Sequence, residues 1–233
     1  MSAERLVTED PAGEAAERLA EAARAGGHLV LSGGSTPRAA YERLAAMDVE
    51  WGGTTLWFGD DRCVPPDHEH SNYRMTREAL LDRLPGDQPA VERIEGELGP
   101  HEAADRYEAR LRESFGDGVP QFDLILNGLG PDAHTASLFP GDAALGERER
   151  LAVGVETPGM APLVSRVTLT LPVMNAARQV VFLVSGEDKA EAVARSFSGA
   201  ADPSAPASLV QPDPGSLTVV LDPPAARLLE ARA

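Results

Sequence analysis

The stretch Phe122-Asp123-Leu124-Ile125-Leu126-Asn127-Gly128-Leu129-Gly130-Pro131-Asp132-Ala133-His134-Thr135-Ala136-Ser137-Leu138-Phe139-Pro140 decides how this chain is read. It begins as an apolar run of strand length. It breaks at Gly128-Leu129-Gly130-Pro131 and reads as restarting in a helix near Thr135. A buried strand, a Gly-rich turn and a helix start form the layout in which open α/β sheets present ligands at their carboxyl ends. Asp132 and His134 both handle protons, and both fall in that turn.

Outward from it, strand-like and helix-like patterns alternate. Residues 11–25 read as an Ala-rich helix whose largest apolar side chain is Leu19, stopped by Gly26-Gly27. His28–Leu31 is a strand that runs into Ser32-Gly33-Gly34-Ser35-Thr36-Pro37 and a helix to about Met47. Thr54–Phe58 is a strand ending in Gly59-Asp60-Asp61-Arg62-Cys63, and a helix follows from Ser71 to about Leu84. Residues 85–100 read as a connection and 101–114 as a helix. After the central stretch come a short strand near Ala152–Val155 and an alternating strand Arg166–Thr170. A fully apolar strand, Gln179 to Ser185, leads to a helix from about Gly186 to Phe197. A Pro/Ala/Ser-rich segment, 198–216, leads to the strand Leu217–Leu221 and a closing helix, Pro224 to Arg232. The predicted fold class is α/β: an open, mostly parallel Rossmann-like sheet flanked by helices on both faces, with residues 1–233 as one domain.

Composition narrows the chemistry. Twenty-one Lys and Arg against 37 Asp and Glu leave a net charge of −16. A surface so acidic argues against nucleic acid and anionic membranes as partners, and requires any site for an anion to be a local cationic island. The single cysteine, Cys63, excludes a disulfide framework and a Cys-based zinc site. No run reaches membrane-spanning length and the N-terminus lacks a signal-peptide core, so a cytoplasmic location is expected.

Each candidate residue has a plain reading beside the functional one. Ser32–Pro37 is either a tight loop or a phosphate cradle built from the free N–H groups of a helix start. It is neither a P-loop nor a Gly-x-Gly-x-x-Gly fingerprint. His134 is either a cap or core histidine or, with Asp132 beside it, a general base at neutral pH. Asp132 either fixes the histidine tautomer or caps the following helix. Asp60, Asp61 and Arg62 are either a solvated turn or ligand-facing groups. Arg166 either serves the site or pairs with a surface acid. Lys189 is the only lysine in the chain. Cys63 reads as a packed residue whose thiol pKa the adjacent acids raise. His68 and His70 have a metal-like spacing without a third ligand.

Taken in order, these pieces resemble the 6-phosphogluconolactonase family, within the superfamily it shares with glucosamine-6-phosphate isomerases. The resemblance is carried by Leu31–Pro37, Trp57–Pro65, Ser71–Met75, Gly128–Pro140, Arg166–Pro172, Gly186–Ala190 and the terminal Leu217–Asp222. Two departures are visible. Asp61 stands where the family has Glu, and Ala133 where it has Gly. If position 133 is left-handed, alanine there costs about 1 kcal/mol.

The resemblance implies hydrolysis of 6-phospho-D-glucono-1,5-lactone to 6-phosphogluconate in the oxidative pentose phosphate pathway, by a monomer or small homo-oligomer. The residues fit a matching mechanism, with Gly33, Gly34, Ser35, Thr36 and Asp60 binding substrate and Arg166 and Lys189 neutralising its phosphate. His134 activates water, Asp132 orients it, and Arg62 faces the developing oxyanion or the ring oxygens. No covalent nucleophile, metal or cofactor is needed. The alternatives are a glucosamine-6-phosphate isomerase/deaminase, for which Thr135–Phe139 supplies no Glu in register, and a sugar-phosphate binder without turnover.

Overall fold

The computed structural model describes residues 3–229. In chain order the strands are β1 (Glu4–Val7), β2 (Gly27–Leu31), β3 (Thr54–Phe58), β4 (Asp60–Arg62), β5 (Ala90–Glu92), β6 (Leu124–Asn127), β7 (Ala152–Val155), β8 (Arg166–Leu169), β9 (Gln179–Val184) and β10 (Ser216–Leu221). The α-helices are α1 (Pro11–Ala25), α2 (Ser35–Leu44), α3 (Asn72–Ala79), α4 (Pro100–Phe115), α5 (Leu171–Ala176), α6 (Ala190–Phe197) and α7 (Pro223–Ala226). Seven strands form one parallel sheet in the order β1-β10-β9-β6-β2-β3-β5. The chain builds outward from β2 to β3 and β5, then returns to β6 on the other side and continues to β9 and β10. The direction of winding therefore reverses between β2 and β6, the place where open α/β sheets leave a crevice beyond their carboxyl ends.

Both faces of the sheet are covered, as the continuous apolar strands require. Leu29, Leu31, Leu56, Leu124, Leu126, Val181 and Leu183 pack against α1 and α2. Val30, Trp57, Ile125, Val180, Phe182 and Val184 pack against α4, α5 and α6 on the other face. Period-2 alternation sends neighbouring residues of one strand into different layers. In α1, Ala15, Ala16, Ala20 and Ala23 are buried beside Leu19, so a thin stripe suffices where small side chains let the backbone approach the sheet. Asp10 caps this helix through Gly13 N (3.1 Å), and Gly26 at φ 72° ends it.

Two buried tyrosines close strand ends at the crevice. The Tyr41 hydroxyl donates to Ser32 O and accepts from Ser32 N, both at 2.9 Å. Tyr107 does the same for Phe58, donating to its O (2.9 Å) and accepting from its N (2.8 Å). Each hydroxyl satisfies both backbone groups of a buried residue where the ladder stops.

The structure departs from the sequence reading in several places. Residues 60–62 are a strand rather than a turn, and β4, β8 and β7 form a separate antiparallel sheet. Leu169 N donates to Gly59 O (2.8 Å), tying this sheet to the end of β3. Strand β5 lies in the segment read as a connection, and β1 in residues 4–7, to which the sequence reading assigns no element. They are short edge strands whose alternation is too brief to register. No helix begins near Thr135: residues 131–140 are turns with a single bridge, Thr135 to Leu138. Ala133 and Ala136 have φ of 70° and 47°, which a right-handed helix does not accommodate. The expected C-terminal helix stops at Ala226, with 227–229 as turns, and its expected end at Arg232 lies outside the described residues. Among the described residues, no helix is long and apolar enough to cross a membrane.

Candidate active site

A cleft of about 220 Å³ opens at the carboxyl ends of β2, β6 and β9. Gly33, Gly34, Ser35, Thr36, Asp60, Arg62, His134, Arg166 and Lys189 all line it. Asp132 stands behind His134. All ten residues given a site role from sequence are thus brought to one place, although they span positions 33 to 189 of the chain.

The turn after β6 sets the acid and the histidine. Asp132 Oδ1 accepts from His134 N (3.1 Å) and lies 2.5 Å from His134 Nδ1. Burial alone would raise the Asp132 pKa. The hydrogen bonds and charge of His134 outweigh it and hold the carboxyl below its usual range. An ionised carboxylate only accepts, so Nδ1 carries the hydrogen, and the neutral form of the imidazole presents its lone pair at Nε2. Asp132 caps no helix; its Oδ1 takes both hydrogen bonds from His134. Gly130 permits the pair, because a Cβ there would fall 2.0 Å from His134 Nδ1. Ala133 adopts the left-handed conformation, and its carbonyl accepts from Ala207 N (3.0 Å). The segment 198–216 therefore buttresses the histidine turn through the short 3₁₀ helix Pro206–Leu209.

One side of the cleft is built from α2, β8 and the turn before α6. Helix α2 begins at Gly34 (φ 112°) without any side-chain cap, so the amides of its first turn remain for a ligand. Lys189 closes the 3₁₀ turn Glu187–Lys189, and its Nζ is 3.8 Å from Asp188 Oδ2. That turn hangs on Gly186, whose N–H donates to both Asp222 carboxylate oxygens at 2.9 and 3.1 Å. Arg166 is only 3% exposed. Its Nη2 donates to Met160 O (2.8 Å) and Pro162 O (3.3 Å), and its guanidinium lies 5.2 Å from the centre of the Phe139 ring. The same ring packs against His134, with centroids 4.6 Å apart. Burial, reinforced by Arg62 and opposed by Asp60 and Asp132, lowers the Arg166 pKa from a value so high that the charge persists.

Opposite lie the β4 acids. Asp60 accepts from Ser137 Oγ (2.6 Å) and Asn72 Nδ2 (3.2 Å). Asp61 faces away and holds the start of α3, accepting from Arg62 N, Asn72 N and Tyr73 N at 2.7, 2.7 and 3.0 Å. Burial pushes its pKa up to about 6 against these bonds, with Asp60 adding to the rise. Cys63 is half-buried. Burial raises its thiol pKa, a Ser165 hydrogen bond opposes this, and Asp61 and Glu156 add to it, which is an unreactive setting. The rings of His68 and His70 meet edge to face, centroids 5.1 Å apart, in the loop before α3. Among the described residues, no three His, Cys, Asp or Glu side chains cluster to hold a metal.

Sequence reasoning assigned no role to Asn72, Ser137 or Phe139. They lie inside stretches that carry the resemblance, Ser71–Met75 and Gly128–Pro140, but what each of them touches is not written in those residues.

Comparison with known proteins gives the family. Residues 3–219 match the family described as glucosamine-6-phosphate isomerases/6-phosphogluconolactonase. Human 6-phosphogluconolactonase is 45% identical over 217 residues, covering 89% of this chain and 82% of the human protein. The 6-phosphogluconolactonase of Nostoc sp. is 42% identical over 202 residues, covering 83% and 81%. The solved structure of 6-phosphogluconolactonase from Trypanosoma cruzi superposes with a TM-score of 0.86 at 29% identity, covering 98% of each chain. With the family model matching residues 3–219 and relatives this similar over most of their length, the chain belongs to the glucosamine-6-phosphate isomerase/6-phosphogluconolactonase family.

Proposed function

We propose that this protein hydrolyses 6-phospho-D-glucono-1,5-lactone to 6-phosphogluconate, in the oxidative branch of the pentose phosphate pathway. The observation that carries the reading is the His134–Asp132 pair opening onto the same cleft as an uncapped helix start, Arg166 and Lys189. One end of that cleft suits a phosphate, and the other offers a base to a carbonyl.

In this reading the phosphate sits on the amides of Gly34, Ser35 and Thr36, with Lys189 and Arg166 supplying charge. His134 Nε2 takes a proton from water as the oxygen attacks the lactone carbonyl, and Asp132 stabilises the imidazolium that forms. Arg62 faces the negative charge that develops on the carbonyl or ring oxygen, and Asp60 meets sugar hydroxyls. The proton on His134 then passes to the leaving ring oxygen, which becomes the product hydroxyl. A positioned general base contributes roughly 10²–10⁴ in rate, and preorganised charge adds more. The chain works as one domain and takes a small phosphosugar rather than a macromolecule.

The test is lactone turnover. The lactone is generated in situ from glucose-6-phosphate, and formation of 6-phosphogluconate is followed for wild type and His134→Ala, with spontaneous hydrolysis subtracted. Acceleration by wild type alone supports both the activity and the base. Acceleration by neither removes the reading, and glucosamine-6-phosphate then becomes the substrate to try.

A further inference from the structure

Asn72 stands between Asp60 and Arg62. It is 2% exposed and lines the cleft. Its Nδ2 donates to Asp60 O (2.9 Å) and to Asp60 Oδ1 (3.2 Å). Its Oδ1 accepts from Arg62 Nη1 (2.8 Å), which also donates to His70 O (2.8 Å). The amide cannot be turned over, because a carboxylate needs a donor and a guanidinium needs an acceptor. Space on the far side is equally constrained: a Cβ on Gly33 would fall 1.9 Å from Asn72 Oδ1. Gly33 is glycine because the Asn72 amide fills the volume its side chain would take.

Asp60 and Arg62 are two residues apart on β4, so their side chains share one face of the strand. They have opposite charge and sit in a poorly solvated place, where attraction is strong. Yet the ion pairs of the cleft are His134–Asp132 and Lys189–Asp188, and Asp60 and Arg62 make none among the described residues. The bonds from Asn72 to both groups supply the reason.

We infer that Asn72 is a positioning residue that holds Asp60 and Arg62 apart, each hydrogen-bonded and neither neutralised by the other. The inference rests on the reading above, in which Arg62 meets developing negative charge. A guanidinium forked onto Asp60 would be turned away from that charge and partly cancelled. The amide holds Arg62 by one nitrogen and leaves the rest of its charge toward the cleft.

Asn72→Ala is expected to lower kcat/KM roughly 10- to 100-fold, mainly through kcat, as for a lost hydrogen bond to a charged group. A crystal structure of the variant should show Arg62 paired with Asp60. Arg62 unmoved in the variant structure would overturn the inference. If Asn72→Ala does not fold, the isosteric Asn72→Asp carries the test. Its new carboxylate should draw Arg62 away and lower kcat, with partial recovery toward acid pH as it protonates; a flat pH profile relative to wild type would count against the role. Absence of lactone turnover in wild type would sink the functional reading, while the position of Arg62 in the variant structure would still decide the role of Asn72.

Discussion

Arg62 and Arg166 are register partners across β4 and β8, two cations directly opposite in one antiparallel ladder. Like charges in that position destabilise a sheet, and neither arginine has a carboxylate ion-pair partner among the described residues. The arrangement is relieved when an anion comes between or beside them. Inorganic phosphate or 6-phosphogluconate should therefore raise the Tm of the wild-type protein, by mass action on the folded state. Arg166→Met should lose most of that ligand-induced shift. An equal shift in the variant, read by differential scanning calorimetry, would place the anion elsewhere.

Lys189→Ala should raise KM at least tenfold and leave kcat within a few-fold, because a phosphate clamp holds ground and transition states alike. Steady-state kinetics on the lactone decide this. A fall confined to kcat would mean that Lys189 acts on the reacting centre.

His134→Ala should show the opposite split, with kcat down roughly 10²–10⁴-fold and KM little changed. Asp132→Asn should follow it in direction, because an amide no longer demands a hydrogen on Nδ1 and the base at Nε2 is no longer enforced. Gly130→Ala should be as damaging as either, since its Cβ would meet Nδ1 at 2.0 Å.

Ala133 and Ala136 make a matched pair for stability. Both have left-handed φ, which costs about 1–2 kcal/mol for a residue with a Cβ. Replacement by glycine removes that cost but adds unfolded-state entropy of about 0.5–1 kcal/mol. Ala133 is fully buried, so it also loses a packed methyl worth about 0.8 kcal/mol. Ala133→Gly should therefore be close to neutral, whereas Ala136→Gly, only partly buried, should stabilise by about 0.5 kcal/mol. Urea titrations of the two variants check the order; the reverse order would show that the turn relaxes differently.

Asp61 predicts a pH dependence. Its carboxyl is pushed from 3.8 up to about 6, chiefly by burial. The folded protein thus holds this proton more tightly than the unfolded chain. The resulting stability is fully present below the unfolded value and is lost as pH rises through about 6. Two pKa units correspond to about 3 kcal/mol as an upper bound. In Asp61→Asn the difference from wild type in unfolding free energy should shrink by up to that amount between about pH 4 and about pH 7. A difference constant with pH would show that Asp61 titrates normally.

The sequence alone was enough to locate the strands that are long, apolar and central, and the turns that follow them. Strands β2, β3, β6, β9 and β10 each bury both faces, so each is a continuous apolar run, and burial is written locally. The Gly-rich turn before α2, the Asp132–His134 turn and the lone lysine were legible because a bend after a buried strand is itself a local pattern. The separate β4-β8-β7 sheet was not, since membership in a sheet depends on which distant segment supplies the partner. The missing helix at Thr135 had the same origin: a left-handed Ala136 is held by its surroundings, against its own preference. Asn72, Ser137 and Phe139 became visible only in three dimensions. Each earns its place by what it touches, 10 residues away for Asn72 and Arg62 and 77 for Ser137 and Asp60. Such contacts arise when the parallel sheet gathers the ends of its strands at one crevice, and no pattern in the neighbouring residues records them.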